Sequence, residues 1–225
     1  MWGRDGDKLK FKAMNETLIQ MQIVWFFKDD YTNNFEKLSL EIKNLLGEPK
    51  ISQYIPIPSD APSNLPRLTL VYDKFNINIA KNRADLFIDN NDTELINKIS
   101  NTLIDKSLIL IGRVAMVKTI FLDGNINDLK NNLADDKKSI DLKEITIRIN
   151  REKLINNYKC NNIEIINTGF VEDKITKIKK HGIIVMRDIN TLSEELKSYS
   201  FSKEGIESIL KEFDTESKIF ILLKK

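Results

Sequence analysis

The sequence contains a single cysteine, Cys160, and a single histidine, His181. One cysteine excludes an intrachain disulfide framework and is typical of a protein that works in a reducing compartment. The usual Cys/His zinc sites need three or four such ligands, so they are excluded as well. A nucleophilic pair of Cys160 and His181 has no further support in the sequence. We expect both residues to lie in surface loops.

Long apolar runs and a strong excess of one charge are also missing. No run approaches the ~20 residues of a membrane helix, and the N-terminal residues lack the apolar core of a signal peptide. The 35 basic and 33 acidic residues leave a net charge of +2, whereas nucleic-acid binders usually carry a basic excess. We therefore predict a cytoplasmic protein and do not expect nucleic acid or a membrane as its partner.

Sequence motifs typical of cofactor binding or of a catalytic serine do not occur either. The sequence has no glycine-rich phosphate-binding loop and no Gly-x-Ser-x-Gly motif. No cofactor, metal site or catalytic residue is therefore predicted.

The first half of the chain carries clear strand and helix signals. Apolar residues recur at every second position of residues 17–27, which predicts a long strand. A helix over residues 33–46 ends at Gly47, which suits the C′ position. Three short strands follow, and then a helix over residues 92–105. The first helix is expected to face the core with Phe35, Leu38, Ile42, Leu45 and Leu46.

The second half repeats this order. Residues 108–123 predict a long strand, and "GNINDLKNNLADD" predicts a short helix. Three strands follow, the last of them "GIIVMRDI", and a closing helix is capped by Ser202. Arg187–Thr191 is expected to leave the sheet, with Asp188, Asn190 or Thr191 capping what comes next.

The repeated order of elements predicts an internal duplication. We expect an α+β protein of two similar strand-helix-three strands-helix halves, with mainly antiparallel sheets and helices on one face. Residues 1–16 form a tail, 17–107 the first half and 108–225 the second. The halves would pair their long first strands or pack sheet to sheet, which gives one compact body.

Arginines within or beside the strands are the candidate ligand-binding residues. Arg83, Arg113 and Arg148 could converge on a groove between the halves and hold a phosphate or carboxylate, with Asp188 at a strand end. The alternative is that each is an outward residue on a solvated sheet face. Gly112, beside Arg113, predicts a bulge or a close approach.

Two segments are candidates for contacts with other molecules. The apolar end of the first strand, residues 24–27, together with the C-terminal "FILLKK", predicts a self-association surface and a homodimer. Residues 48–66 hold all five prolines. They predict an extended crossover loop, with the alternative of a ligand segment for a partner protein.

Three stretches carry a resemblance that spans most of the chain. They are "TLIQMQIVWFF", "LPRLTLVYDKFNINIAKNRADLF" and "VMRDINTLSEELKSYSFSKEGIESILKEF". In patterning, the chain resembles a family of sporadically distributed, uncharacterised bacterial proteins. The resemblance implies a two-part α+β protein of unknown activity that is linked to mobile elements or defence loci. It implies no functional residues. Independently, the richness in Lys, Asn and Ile indicates an AT-rich bacterial or phage genome.

Two functional hypotheses follow from the sequence. The first is a non-enzymatic binding or regulatory protein that acts on a protein partner or small anionic ligand, through the groove or a partner surface. The second is an enzyme that acts on a small phosphorylated compound, with Asp188 and His181 near the arginines.

Overall fold

The computed structural model describes residues 15–32, 34–58, 60–123, 146–172 and 176–218. Within these residues, nine strands form one sheet: β1 (Glu16–Phe27), β2 (Ile51–Tyr54), β3 (Leu68–Val71), β4 (Phe75–Ile79), β5 (Arg83–Ile88), β6 (Ile111–Leu122), β7 (Thr146–Ile155), β8 (Tyr158–Glu172) and β9 (Lys179–Thr191). The helices are α1 (Phe35–Leu46), α2 (Thr93–Asn101) and α3 (Lys203–Ser217), with a π-helical turn at Thr102–Lys106 and a 3-10 turn at Ser193–Glu195.

The sheet runs in the order β2-β3-β4-β5-β1-β6-β9-β8-β7, and every neighbouring pair is antiparallel. The two long strands β1 and β6 lie side by side at its centre, with Glu16 opposite Leu122 and Val24 opposite Ala115. The predicted α+β class with antiparallel pairing is confirmed.

Two similar halves are not evident in this sheet. Residues up to 107 contribute five strands, including the edge strand β2 inside the proline-containing segment, whereas the described residues beyond 107 contribute four. The middle strands also differ in length, with 15 and 13 residues in β8 and β9 against 5 and 6 in β4 and β5. Of the two predicted arrangements, pairing of the long first strands is confirmed by β1 and β6, and sheet-to-sheet packing is wrong. The duplication is corrected to one continuous sheet, because this pairing removes the edge at which two sheets would separate. The short helix expected at 124–136 lies outside the described residues.

The three helices pack on one side of the sheet, which we call the helix face. Buried apolar side chains of β1, α1, α2 and α3 form one cluster there. It includes Met21, Ile23, Trp25, Phe27, Leu38, Ile42, Ile96, Ile99, Ile206, Ile209, Leu210 and Phe213. The side chains of Asn34, Asp92 and Ser202 accept hydrogen bonds from the first turns of the helices. Gly47 ends α1 at φ +85°, as expected. Leu45 is 41% exposed, so its predicted inward position is wrong.

The end of β9 corrects the predicted helix cap. Arg187–Asn190 remains in the strand, because β9 pairs on both sides up to its end: Asn190 lies opposite Ala115 of β6, and Thr191 lies opposite Cys160 of β8. The Thr191 hydroxyl accepts a hydrogen bond from the Val114 N–H at 3.1 Å. The polar residues here therefore connect strands and begin no helix.

Three of the four residues 24–27 are buried, and only Phe26 is half-buried, so the exposed apolar surface predicted for this stretch is not formed as a whole. Trp25 and Phe27 are buried on the helix face, and Val24 is buried on the opposite face. Both faces of a central strand are covered by neighbouring side chains, which explains the doubly apolar pattern. "FILLKK" lies outside the described residues, so the homodimer stays a prediction.

Candidate functional site

The candidate site lies on the side of the sheet opposite the helices, which we call the open face. Side chains alternate between the two faces along each strand. Since Met21, Ile23 and Trp25 of β1 point to the helix face, the residues between them point to the open face. The strand register then places the following residues on the open face of the five central and neighbouring strands: Arg83, Asp85, Gln22, Val24, Phe26, Arg113, Ala115, Val117, Asp188, Asn190, Asn161 and Ile163.

Two of the predicted arginines flank one aromatic ring on this face. Phe26 of β1 lies opposite Arg83 of β5 on one side and opposite Arg113 of β6 on the other. Arg113 Cζ lies 4.3 Å from the centroid of the Phe26 ring, which is a cation–π contact. The backbones of the two arginines are separated by two strand spacings, about 10 Å. The sheet thus brings Arg83 and Arg113 together around Phe26, and we call these three residues the arginine row.

Arg113 is held in place by the end of β9. Its Nε donates to the Thr191 carbonyl at 2.6 Å, and its Nη2 donates to Asn190 Oδ1 at 2.9 Å. Burial lowers the pKa of Arg113, and the charges of Asp188 and Glu194 oppose this effect. Two of the Arg113 nitrogens are hydrogen-bonded and its guanidinium contacts the Phe26 ring, so the position of its charge is fixed before a ligand binds.

Gly112 is both a bulge and a close approach, as predicted. The register shifts between Phe26, opposite Arg113, and Phe27, opposite Ile111, so Gly112 is the extra residue. A Cβ on Gly112 would lie 2.0 Å from the carbonyl oxygen of Leu196. The segment that follows β9 therefore passes directly over Gly112, and only glycine leaves room for it.

Arg83 is anchored by a buried carboxylate. Its Nε lies 3.0 Å from Asp85 Oδ2, and Gln22 Nε2 donates to Asp85 Oδ1 at 2.8 Å. Asp85 is only 3% exposed. Burial raises its pKa, while the charge of Arg83 and the Gln22 hydrogen bond act in the opposite direction. The Arg83 side chain itself stays 34% exposed and can reach a ligand.

The other two predicted residues take different positions on the same face. Asp188 accepts a hydrogen bond from Asn190 Nδ2 at 2.8 Å, and Asn190 connects it to Arg113. Arg148 is exposed on β7, opposite Ile165. Three strand spacings, about 14 Å, separate β7 from β6 across the sheet. Asp188 therefore belongs to the surroundings of Arg113, whereas Arg148 lies apart from the arginine row.

The histidine does not join this site. His181 and Asp188 are seven positions apart in β9, so their side chains point to opposite faces, about 23 Å apart along the strand. His181 is exposed, and its ring centroid lies 5.7 Å from that of Phe170. The expected loop position of His181 is wrong, and the two residues cannot act on one common point.

Cys160 is also not the surface-loop residue that the sequence predicted. It lies in β8, buried on the helix face, opposite Thr191. Burial raises its pKa to about 12. A buried thiol with so high a pKa is unreactive near neutral pH, because the thiolate is the nucleophile.

Sequence analysis missed a row of buried charges on the helix face. Lys118, Arg187 and Glu164 lie side by side on β6, β9 and β8. Arg187 and Glu164 are both 0% exposed, and Arg187 Nη1 lies 2.7 Å from Glu164 Oε2. Burial lowers the pKa of Arg187, which the Glu164 charge opposes. Lys118 pairs with Asp214 of α3.

A sequence signal for this row was present. Arg187 alternates in phase with the inward Val185 and Ile189, and Glu164 alternates in phase with Ile166. A charged residue that occupies an inward position among alternating apolar residues indicates burial. Its ion-pair partner can be predicted only when the neighbouring strand is known.

Two further properties of the described part of the chain concern metal-binding clusters and helices that could span a membrane. It has no group of three or more His, Cys, Asp or Glu residues that could hold a metal ion. Among the same residues, no helix has the length and apolar character needed to cross a membrane. In comparisons with known protein families and with curated proteins, the chain matches none of them. Its function has to be inferred from the geometry.

Proposed function

We propose that this protein is a non-enzymatic binding protein that holds a partner protein on the open face of its sheet. The arginine row carries this proposal, because it sets two guanidinium groups around an aromatic ring on a face that no described helix covers. Arginine and aromatic residues are enriched where proteins bind each other.

The rigidity of the row supports binding. Arg113 is fixed by the end of β9 and by the Phe26 ring, and Arg83 is fixed by Asp85. Side chains that are already ordered lose less conformational entropy when a partner binds. The same face carries two half-buried apolar residues, Phe87 and Val117, that a large partner could also cover. Each lies four positions along its strand from the arginine of the row, about 13 Å.

The chemistry of the row favours an acidic segment on the partner. Guanidinium groups bind carboxylates in charge-assisted, often bidentate hydrogen bonds. Asp85 is only 3% exposed and is engaged by Gln22 and Arg83, so its carboxylate lies beneath the surface. The charges of Asp188 and Glu194 act on Arg113, so the more exposed Arg83 carries the preference for an acidic segment. β1 and β6 are hydrogen-bonded along their length, so the arginine row lies on the surface of one continuous sheet and not between two separate halves. His181 and Asp188 point to opposite faces of the sheet, which argues against an enzyme that uses both on one substrate.

Affinity capture from the source cell followed by native mass spectrometry tests this proposal. The wild-type chain, Arg83→Gln and Arg148→Gln are compared, and thermal unfolding verifies that each variant is folded. Both substitutions remove one positive charge from the open face, but only the first changes the arginine row. We expect an acidic protein that is lost with Arg83→Gln and retained with Arg148→Gln. Equal retention by both variants would refute the proposal, and so would capture of nucleic acid in place of a protein.

The predicted family, the bacterial or phage origin and the link to defence loci stay predictions. The identity of the captured partner bears on them directly, since a partner encoded beside this chain would be a component of the same locus.

A further inference from the structure

A second location, separate from the open face, has the features of a ligand site. A cleft of about 490 Å³ lies between the start of α1, the proline-containing segment and the turn between β4 and β5. Cavities of this size accommodate small molecules. Its walls include Tyr31, Phe35, Tyr54, Ile57, Arg67 and Lys81.

Arg67 is the unusual residue in this cleft. It is 5% exposed, and its Nη1 donates to the Ile57 carbonyl at 2.9 Å. Its Nε and Nη2 are buried and have no hydrogen-bond partner among the described residues. Buried charged donors are nearly always paired, because leaving them without an acceptor forfeits their hydration. Two such donors on one guanidinium call for an oxygen acceptor.

The surroundings of Arg67 favour a negative charge on that acceptor. Lys81 lines the same cleft and adds a positive charge. The N-terminus of α1 faces it as well, and its dipole attracts anions. Asn34 Oδ1 already accepts hydrogen bonds from the N–H groups of Glu36 and Lys37. The helix therefore attracts an anion through its dipole, and these two N–H groups do not bind it. Among the described residues that line the cleft, Glu36 is the one acidic residue, and the cationic side chains of Arg67 and Lys81 oppose it.

The cleft also has an apolar wall suited to the body of a ligand. Tyr31 and Phe35 pack edge to face with their centroids 5.1 Å apart, and Tyr54 lies 6.4 Å from Phe35. Tyr54 is exposed on its outer side. An aromatic or aliphatic group could therefore pack on Tyr54 and Ile57 while its anionic end reaches Arg67.

We propose that this cleft binds a small organic anion, with its carboxylate or phosphate oxygens on Arg67 Nε and Nη2 and its apolar body against Tyr54 and Ile57. This site is independent of the arginine row, and its ligand is distinct from the partner protein proposed above. The failure of either proposal leaves the other intact.

Titration of the full chain with phenyl phosphate, benzoate and inorganic phosphate at constant ionic strength tests the proposal by calorimetry. We expect saturable binding of phenyl phosphate or benzoate, and weaker binding of inorganic phosphate, which lacks the apolar body. Preference between the first two identifies the anionic group. Arg67→Met should weaken binding by about 10- to 100-fold, the usual effect of losing charge-assisted hydrogen bonds. Arg148→Met removes an exposed arginine elsewhere and should leave affinity unchanged.

Chemical-shift mapping on the wild-type chain keeps the test decisive if Arg67→Met does not fold. The ligand should shift the backbone amides of Thr32, Phe35, Ile57 and Lys81, which line the cleft or flank it. Absence of saturable binding by all three probes would overturn the proposal. Shifts confined to other parts of the chain, or unchanged affinity in Arg67→Met, would do the same.

Discussion

Replacing Arg187 by methionine should lower the free energy of unfolding by about 3–5 kcal/mol, the usual result of removing one partner of a buried ion pair. Arg187 and Glu164 are both 0% exposed and lie 2.7 Å apart. Arg187 Nη2 also donates to Asn162 Oδ1 at 2.9 Å and to the Glu216 carbonyl at 3.3 Å. Methionine fills much of the arginine volume, so the lost charge, more than a cavity, determines the effect.

The magnitude follows from two opposing quantities. At an effective dielectric constant of about 20, two unit charges at this separation of 2.7 Å attract by about 6 kcal/mol. Burying each charge costs several kcal/mol, so the intact pair contributes little net stability. Removing Arg187 abolishes the attraction but leaves the Glu164 carboxylate inside the protein. The desolvation cost of Glu164 is then no longer offset by the guanidinium.

Urea unfolding followed by circular dichroism measures the effect, and an exposed pair supplies the control. Lys98 and Glu94 lie at the same separation, 2.7 Å, but are 45% and 78% exposed. Lys98→Met should cost less than about 0.5 kcal/mol, because solvent screens surface pairs. A double variant, Arg187→Met with Glu164→Leu, should be more stable than Arg187→Met alone, since it removes the remaining buried charge. A loss below about 1 kcal/mol in Arg187→Met would refute the argument, as would a double variant less stable than the single one.

Two further predictions test the open face and its support. Gly112→Ala should destabilise the protein by about 1–3 kcal/mol, because its Cβ would meet the Leu196 carbonyl at 2.0 Å. The control, Gly205→Ala in α3, has no atom nearer than 3.5 Å and should be stabilising by up to about 1 kcal/mol in thermal unfolding; equal effects would contradict the close approach. For Asp85, a folded-state pKa above the unfolded value means that its contribution is fully present below the unfolded pKa and is lost as pH rises through the folded pKa. Asp85→Asn should therefore gain stability relative to wild type as pH rises from about 3.5 to 7. An opposite trend in urea unfolding would show that Arg83 outweighs burial.

Sequence analysis located the helices well because their signals are local. The apolar stripes of α1, α2 and α3 repeat every three or four residues, and each helix starts at a side chain that caps it, Asn34, Asp92 or Ser202. Such signals are complete within about one turn, so no distant residue is needed to interpret them. The bulge at Gly112 was predictable for a related reason, since a glycine inside a strand is unfavourable without a structural cause.

The roles of the polar residues in the strands were harder to predict. Arg187 and Asp188 are adjacent in sequence, yet the first is buried beside Glu164 and the second lies on the open face. Asp–Asn–Thr patterns suit a helix cap and a strand end equally well, and the sequence offers no local means to distinguish them. The continued pairing of β9 with both neighbours decided between them.

Arg67 shows the same limit at the candidate cleft. It precedes a short strand next to the proline-containing segment, where a solvated arginine would be expected. Arg67 is buried where its Nη1 donates to the Ile57 carbonyl, in a cleft that the start of α1, more than 30 residues earlier in the chain, also lines. The sequence around Arg67 contains no local pattern that predicts these contacts.

The sequence by itself determined the helix positions and their caps, the alternation of β1, and the presence of several arginines in strands. Only the tertiary structure decided which of those arginines meet, that the long first strands pair within one sheet instead of packing sheet to sheet, and that Cys160 and Arg187 are buried. The physical reason is that helix bonds and caps join residues a few positions apart, whereas a sheet joins residues such as Phe26, Arg83 and Arg113 across long stretches of chain. Strand order and register set those neighbours, and they are settled by the packing of the whole chain.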